Sequence, residues 1–172
     1  IARCLHNLAN VVRVRGDYPR ARWALSEAAD IFEELGDRAG RAWSINQQGD
    51  IARAQGDMAA ARELYQRALS AFRDAGDPWG SARSLTDLAY IDSVQGDFLA
   101  AHAACREALK IFAGLGHRRG IARALEASAC VALVQGHAER ALKLAAAAAQ
   151  LRQSVGAHLH QAEQSKLDRT LL

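Results

Sequence analysis

A glycine recurs through the chain at a constant interval. It stands in a short motif that reads Gly-Asp in three copies and Gly-His in the last, and the copies lie 40 residues apart at Gly16, Gly56, Gly96 and Gly136. Two further series keep this interval, and their members are Gly36, Gly76, Gly116 and Gly156, and Gly40, Gly80 and Gly120. A fixed period of roughly 20–50 residues is typical of stacked repeats, in which each unit packs against its neighbours. The interval therefore predicts a repeat architecture.

The apolar residues between these glycines have helical spacing. In the second unit, Ala42, Ile45, Gly49 and Ala52 are three or four residues apart and so share one face. A second apolar face begins at Met58, after the turn. Each unit is therefore predicted to contain two amphipathic helices of about 15 and 18 residues. A glycine can end each helix in the left-handed conformation, and an aspartate can cap the next one. These aspartates are Asp17, Asp37, Asp57, Asp77 and Asp97.

The packing positions keep the same interval, which specifies the fold class. Small residues recur at Ala21, Ala61, Ala101 and Ala141, and the second helix closes on Phe32, Phe72 and Phe112, with Arg152 breaking the series. No stretch alternates with period two, so no strands are expected. We predict an all-α fold, an α-solenoid of antiparallel helix pairs in a single domain over residues 1–172. The repeats cover about 1–37, 38–77, 78–117 and 118–156, and a capping helix covers about 157–172.

Composition argues against several classes of protein. The net charge of +3 is too small to indicate a nucleic-acid partner, for which a clustered basic stripe is expected. No apolar run approaches the roughly 18 residues of a membrane span. Cys4, Cys105 and Cys130 form no Cys-x-x-Cys pair and are interpreted as small apolar residues in a reducing compartment. We therefore expect a cytoplasmic protein. The chain begins inside a repeat and without Met, so we expect it to be part of a longer protein.

Residues that could carry chemistry have a structural interpretation. Arg15-Gly16-Asp17 spells an adhesion tripeptide, but the repeat explains it as a turn between helices. His117 and His137 occupy the aspartate position of other units, and His158 and His160 are two residues apart, which points them to different sides of a helix. The sequence contains no phosphate-binding loop and none of the common hydrolase motifs. We predict no enzymatic activity, no catalytic residues, no metal site and no cofactor.

The chain resembles the tetratricopeptide repeat family. In the second unit the family pattern of small residues, glycine and an aromatic residue falls on Gly49, Gly56, Ala61, Tyr65 and Ala68. The unit here is 40 residues long, whereas the usual unit of the family has about 34. Long-period variants resemble the arrays of bacterial signal-transduction ATPases and transcriptional regulators, and those of animal polarity scaffolds. The run that begins at Gln135 is most similar to the bacterial group. The resemblance implies a right-handed superhelix.

The resemblance also implies a binding face on the first helix of each unit. Mapped residue by residue, this concave face comprises Arg3, His6, Asn10, Arg13, Trp43, Asn46, Asp50, Arg53, Arg83, Thr86, Asp87, Tyr90, Arg123, Glu126 and Cys130. Helical geometry places these residues opposite the buried stripe. Arginine, tyrosine and tryptophan are common in recognition surfaces. Trp43 could instead pack between repeats. If it lines the groove, Trp43→Ala and Arg83→Ala should weaken binding and leave folding nearly unchanged.

We therefore predict a module that binds a protein or peptide segment, or another domain of the same chain, within a larger bacterial signalling or transcription-regulatory protein. A carboxylate clamp at His6, Asn10, Asn46 and Arg83 is disfavoured by Asp87, which stands where a second cation is expected. A reader of single-stranded RNA would need a regular code, which the face lacks. The alternative is a structural spacer or self-association module, with homodimers forming through the uncapped N-terminal end.

Overall fold

The described part of the chain is built from helix pairs. The structure is a computed structural model that describes residues 1–154, and these residues form α-helices without any β-strand. The helices are α1 (Ala2–Val14), α2 (Tyr18–Glu34), α3 (Arg38–Ala54), α4 (Met58–Asp74), α5 (Pro78–Val94), α6 (Phe98–Gly114), α7 (Arg118–Val134) and α8 (Ala138–Ser154). The predicted all-α class is confirmed. From α2 onward each helix has 17 residues, so the predicted alternation of 15 and 18 residues is wrong. The predicted capping helix lies outside the described residues.

Glycines and short polar side chains set the ends of the helices. Seven turn glycines have positive φ angles between 63° and 83°, a range that favours glycine because it has no Cβ atom. After each such glycine a side chain accepts a hydrogen bond from the backbone N–H three residues further on. Asp37 accepts from Gly40 at 2.8 Å, and His117 takes the same role through Nδ1, which accepts from Gly120 at 2.9 Å. The turn interpretation of His117 is therefore confirmed.

The third glycine series has a packing role. A Cβ atom placed on Gly80 would lie 2.3 Å from the ring of Phe72, and one placed on Gly120 would lie 2.2 Å from the ring of Phe112. Phe32 meets Gly40 in the same way at 2.5 Å. Because real Cβ contacts are not this short, the phenylalanine ring at the end of one repeat requires glycine in the first turn of the next helix.

The helices group into two compact units, Ile1–Ser84 and Leu85–Leu172. In the first unit, Ile51 of α3 packs against Ala21, Ala24 and Leu25 of α2. Helix α7 packs against both α6 and α8 in the second unit. The prediction of a single domain over the whole chain stays a prediction. None of the helices in residues 1–154 is long and apolar enough to cross a membrane.

Candidate functional site

The structure places the predicted face residues on the four first helices, α1, α3, α5 and α7, with very different exposure. Two are exposed, Arg3 and Asn10. Nine are half-buried, and these are His6, Arg13, Trp43, Arg53, Arg83, Tyr90, Arg123, Glu126 and Cys130. Four are buried, Asn46, Asp50, Thr86 and Asp87. The expectation that all of these polar residues lie on an accessible surface is therefore wrong for the last four, because neighbouring helices cover them.

Asp50 is the centre of a polar network in the first unit. Its carboxylate is 5% exposed and accepts a hydrogen bond from the Tyr65 hydroxyl at 2.8 Å. Arg83 Nη2 donates to the other carboxylate oxygen at 3.0 Å, and Arg53 Nη2 lies 3.5 Å from the first. Arg53 Nε also donates to the Tyr65 oxygen at 3.1 Å. A buried carboxylate is costly unless charged and polar partners surround it, and here two arginines and a tyrosine do so. The network holds α3, α4 and the start of α5 together.

Trp43 makes packing contacts between successive repeats. Its ring centroid lies 4.7 Å from that of Phe72 and 4.6 Å from that of Trp79, in tilted arrangements that aromatic pairs favour. Its Nε1 donates to Asp77 Oδ2 at 3.2 Å. These contacts show that Trp43 packs between repeats, and its half-buried ring also borders a cavity. We now expect Trp43→Ala to destabilise the fold, contrary to the expectation from the sequence.

A cavity of about 300 Å³ lies in the first unit, between α1 and α3. We call it the α1–α3 groove, and its lining residues are Arg3, His6, Phe32, Asp37, Ala39, Gly40 and Trp43. Its wall is partly aromatic. Arg3 is exposed and makes no hydrogen bond or ion pair with any of residues 1–154. This guanidinium is therefore available to a ligand in the groove.

His6 connects the groove to a set of buried polar atoms. Burial lowers the pKa of His6, so the neutral ring is favoured. Its Nε2 lies 2.7 Å from the Gln47 side-chain nitrogen and accepts the hydrogen bond, which leaves the proton on Nδ1. His6 Nδ1, Gln47 Oε1 and Asn46 Oδ1 are buried and have no hydrogen-bond partner among residues 1–154. Buried polar atoms are nearly always paired, which makes these three unusual.

Comparison with known proteins identifies the repeat. Residues 1–74 match the family model described as tetratricopeptide repeat. Residues 1–74 are tetratricopeptide repeats. Among solved structures, the chain is similar to BtubC (BKLC) from P. vanneervenii, with 22% sequence identity and a TM-score of 0.74 over 97% of this chain and 68% of that one. This likeness shows the helical-repeat fold. No curated protein matches the chain.

The predicted family is thereby confirmed, and the coarse functional class follows from it. Tetratricopeptide repeats are generally protein-interaction scaffolds and are typically non-catalytic. Among residues 1–154, no three or more His, Cys, Asp or Glu side chains are grouped to hold a metal ion. The likeness to bacterial regulatory arrays stays a prediction.

The residues considered for a carboxylate clamp already have partners inside the first tetratricopeptide repeats. Arg83 binds Asp50, and the Asn46 amide donates to Ser84 Oγ at 3.1 Å. Asn10 Oδ1 accepts a hydrogen bond from Arg13 at 2.8 Å. A terminal carboxylate that approached Arg83 would compete with a buried one. The arrangement therefore disfavours a clamp.

The second unit pairs its charges one to one. Arg123 Nη2 lies 2.6 Å from Asp87, and its Nε donates to Thr86 at 3.2 Å. Arg152 binds both carboxylate oxygens of Glu126, at 2.6 and 2.7 Å. Five of the face residues predicted in this unit, counting Arg123 and Glu126, are thus Thr86, Asp87, Tyr90, Arg123 and Glu126, and four of them bind one another or Arg152. These contacts hold the helices together and leave few free donors.

Sequence reasoning missed three residues that shape the site. Tyr65 fits the aromatic position of the family pattern, but nothing in the pattern shows that its hydroxyl binds Asp50. Gln47 adjoins the predicted face residue Asn46 and contacts His6 from the next repeat. Asp77 was assigned as a helix cap, and its second oxygen also accepts from Trp43. The sequence signal for all three was the 40-residue register, which aligns them with the face but does not give their partners.

Proposed function

We propose that the chain is a protein-interaction module that binds a peptide segment in the α1–α3 groove. The observation that carries this proposal is the cavity of about 300 Å³ with an unpaired Arg3 at its edge. Every other arginine named on the face has a partner within its own unit. The groove is thus the place on the predicted face where a ligand gains contacts without displacing existing ones.

The lining residues indicate the kind of peptide. Phe32 and Trp43 offer an apolar wall for an aliphatic or aromatic side chain. Arg3 can donate to a carboxylate or to main-chain carbonyl oxygens. Asp37 also borders the groove, so a ligand with several negative charges would be repelled. A segment with one apolar anchor and at most one acidic residue fits this environment.

The test is a selection from a phage-displayed dodecapeptide library with the whole chain as bait. Peptides recovered without bias are synthesised with a fluorophore, and Kd is measured by anisotropy. Arg3→Ala and His6→Ala should each raise Kd about ten-fold, since losing a hydrogen bond to a charged group costs about 1.5–3 kcal/mol. Arg67→Ala is the matched control, because Arg67 is exposed on α4, away from the groove. Peptides that bind all variants equally would place the site elsewhere and refute the proposal.

The cellular setting is a separate proposal that rests on sequence resemblance. The similarity of the final repeat to bacterial arrays supports a role within a larger cytoplasmic signalling or transcription-regulatory protein. The structural alternative, a spacer or self-association module, predicts a mass that rises with concentration in light scattering. A constant monomer mass would count against self-association.

A further inference from the structure

The first helix exposes positions that every later repeat buries. Residues one period apart are called equivalent. Cys4 is exposed, and Val11 is 51% exposed. The equivalents of Cys4 are Ser44, Ser84 and Ala124, and those of Val11 are Ile51, Ile91 and Val131; all six are 0% exposed. We call the surface formed by Cys4 and Val11 the outer face of α1. It has the position of an internal packing surface, without the cover.

The structure shows what covers this surface in the next repeat. Ile51, the equivalent of Val11, lies against Ala21, Ala24 and Leu25 of α2. Ser84, the equivalent of Cys4, is contacted by Asn46 of the preceding helix pair. The cover is thus a helix pair that presents closely spaced alanine and leucine on its second helix.

Arg3 gives a second and independent indication of the same partner. Its equivalents are Trp43, Arg83 and Arg123. Both arginines bind a carboxylate on the first helix of the preceding repeat, Arg83 at Asp50 and Arg123 at Asp87. Arg3 has no such partner among residues 1–154. The missing cover and the missing carboxylate belong to the same place in the repeat.

We propose that the outer face of α1 docks an amphipathic helix pair of the same kind, which brings an alanine and leucine stripe to Cys4 and Val11 and a carboxylate to Arg3. The apolar face supplies most of the contact, because an exposed ion pair adds little. The carboxylate selects among helix pairs with similar stripes.

A second copy of this chain does not offer that partner at its last described helix pair. The acidic residue there is Glu126 of α7, and Arg152 of α8 already binds both of its oxygens. Docking of that pair on Arg3 would require the buried contact to break. The docked helix pair is therefore one with a free carboxylate on its first helix.

This inference concerns a surface other than the α1–α3 groove, so the two proposals can fail separately. Val11→Asp should leave binding of the selected dodecapeptides unchanged. Only Arg3 is shared between them, which is why Cys4 and Val11 provide the decisive measurements here.

The first experiment measures protection of Cys4 from iodoacetamide. The probe is a synthetic peptide of residues 38–77, the pair α3–α4, which presents Asp50 to Arg83 in the native chain. Mass spectrometry of the tryptic peptide that starts at Cys4 separates it from Cys105, where burial raises the pKa of the thiol. Saturating probe should slow alkylation of Cys4 at least ten-fold. Val11→Asp should abolish this protection, whereas Val14→Asp should not, because the equivalents of Val14 are also exposed.

The second experiment covers the case of a probe that does not fold alone. Residues 41–80 are inserted directly before Ile1, which keeps the 40-residue interval. Cys4 should then be protected at least ten-fold. Asp→Asn at the added copy of position 50 and Arg3→Ala should each weaken protection several-fold, with no further loss when combined. The proposal is overturned if Cys4 in this fusion reacts as fast as in the original chain. It is also overturned if the original chain protects its own Cys4 as its mass doubles, since the occupant is then a second copy.

Discussion

Helices α4 and α8 end on equivalent positions with opposite chemistry. Phe72 of α4 is fully buried, and its ring reaches forward to Gly80 in the next helix. Arg152 of α8 reaches back to Glu126 in its own repeat. One residue links a repeat to its successor, and the other links the two helices of a single repeat. The same place in the period thus does two jobs, and side-chain chemistry determines which.

The difference also affects how strongly each end depends on its surroundings. An aromatic ring in a glycine notch contributes through shape, so any change in volume is felt. An ion pair in which both side chains are 16% exposed contributes through charge and is weakened by salt. The following changes should separate the two mechanisms.

The largest effect is expected for Phe72→Ala. Removing a fully buried ring leaves a cavity next to Trp43 and Gly80 and should lower the free energy of unfolding by about 3–5 kcal/mol. Urea denaturation followed by circular dichroism measures the change. A loss below about 1 kcal/mol would mean that the ring does not hold the two repeats together.

Gly80→Ala should have the next largest effect. The new methyl group would lie 2.3 Å from the Phe72 ring, and such overpacking costs about 1–3 kcal/mol. Gly114→Ala is the matched control, because a Cβ atom there meets nothing within 4 Å. The control should be neutral or stabilise the helix by up to about 1 kcal/mol. Equal effects of the two substitutions would refute the notch.

Arg152→Ala should cost less, about 1 kcal/mol, because the helices keep their apolar contacts. A double-mutant cycle with Glu126→Gln isolates the pair, and its coupling energy should fall as NaCl rises. Phe72→Ala should show no comparable dependence on salt. A coupling energy near zero at low salt would remove the ionic link from the account of α8.

The smallest effect concerns pH and His6. Burial holds its pKa in the folded chain below the usual 6.5, so the unfolded chain takes up a proton first as pH falls. Stability should therefore be full above pH 6.5 and decline as pH falls from 6.5 through the lower pKa of the folded chain. His6→Gln should remove this part of the slope when urea midpoints are compared across pH. An unchanged slope would assign the pH dependence to other groups.

The periodic features of the fold could be predicted from the sequence because they depend on local chemistry. A glycine with positive φ and an aspartate three residues before a free N–H act within one turn, and both are visible in the 40-residue register. Even the exception at Arg152 was visible as a break in the phenylalanine series. What the sequence could not show is which partner the arginine finds.

The candidate site was less predictable, since it depends on pairs from different repeats. Asp50 and Arg83 are 33 residues apart, and Arg123 and Asp87 are 36 apart, so neither pair keeps the 40-residue interval. Asn46 was expected on an accessible face and is 0% exposed, because α5 covers it through Ser84. Assigning polar residues to a groove from register alone therefore overestimates the free surface.

The pairing of Asp50 with Arg83 has a consequence for how such a chain can change by recombination. Excision of residues 41–80 would keep every glycine and phenylalanine in register, and by apolar packing alone the shortened chain should fold. Arg83 would then meet Asn10 in place of Asp50, and a cation would lose its carboxylate. The apolar ladder permits any order of repeats, whereas the charges between neighbours allow only some. Gene rearrangements that shuffle these units are thus filtered by the polar residues that link one unit to the next.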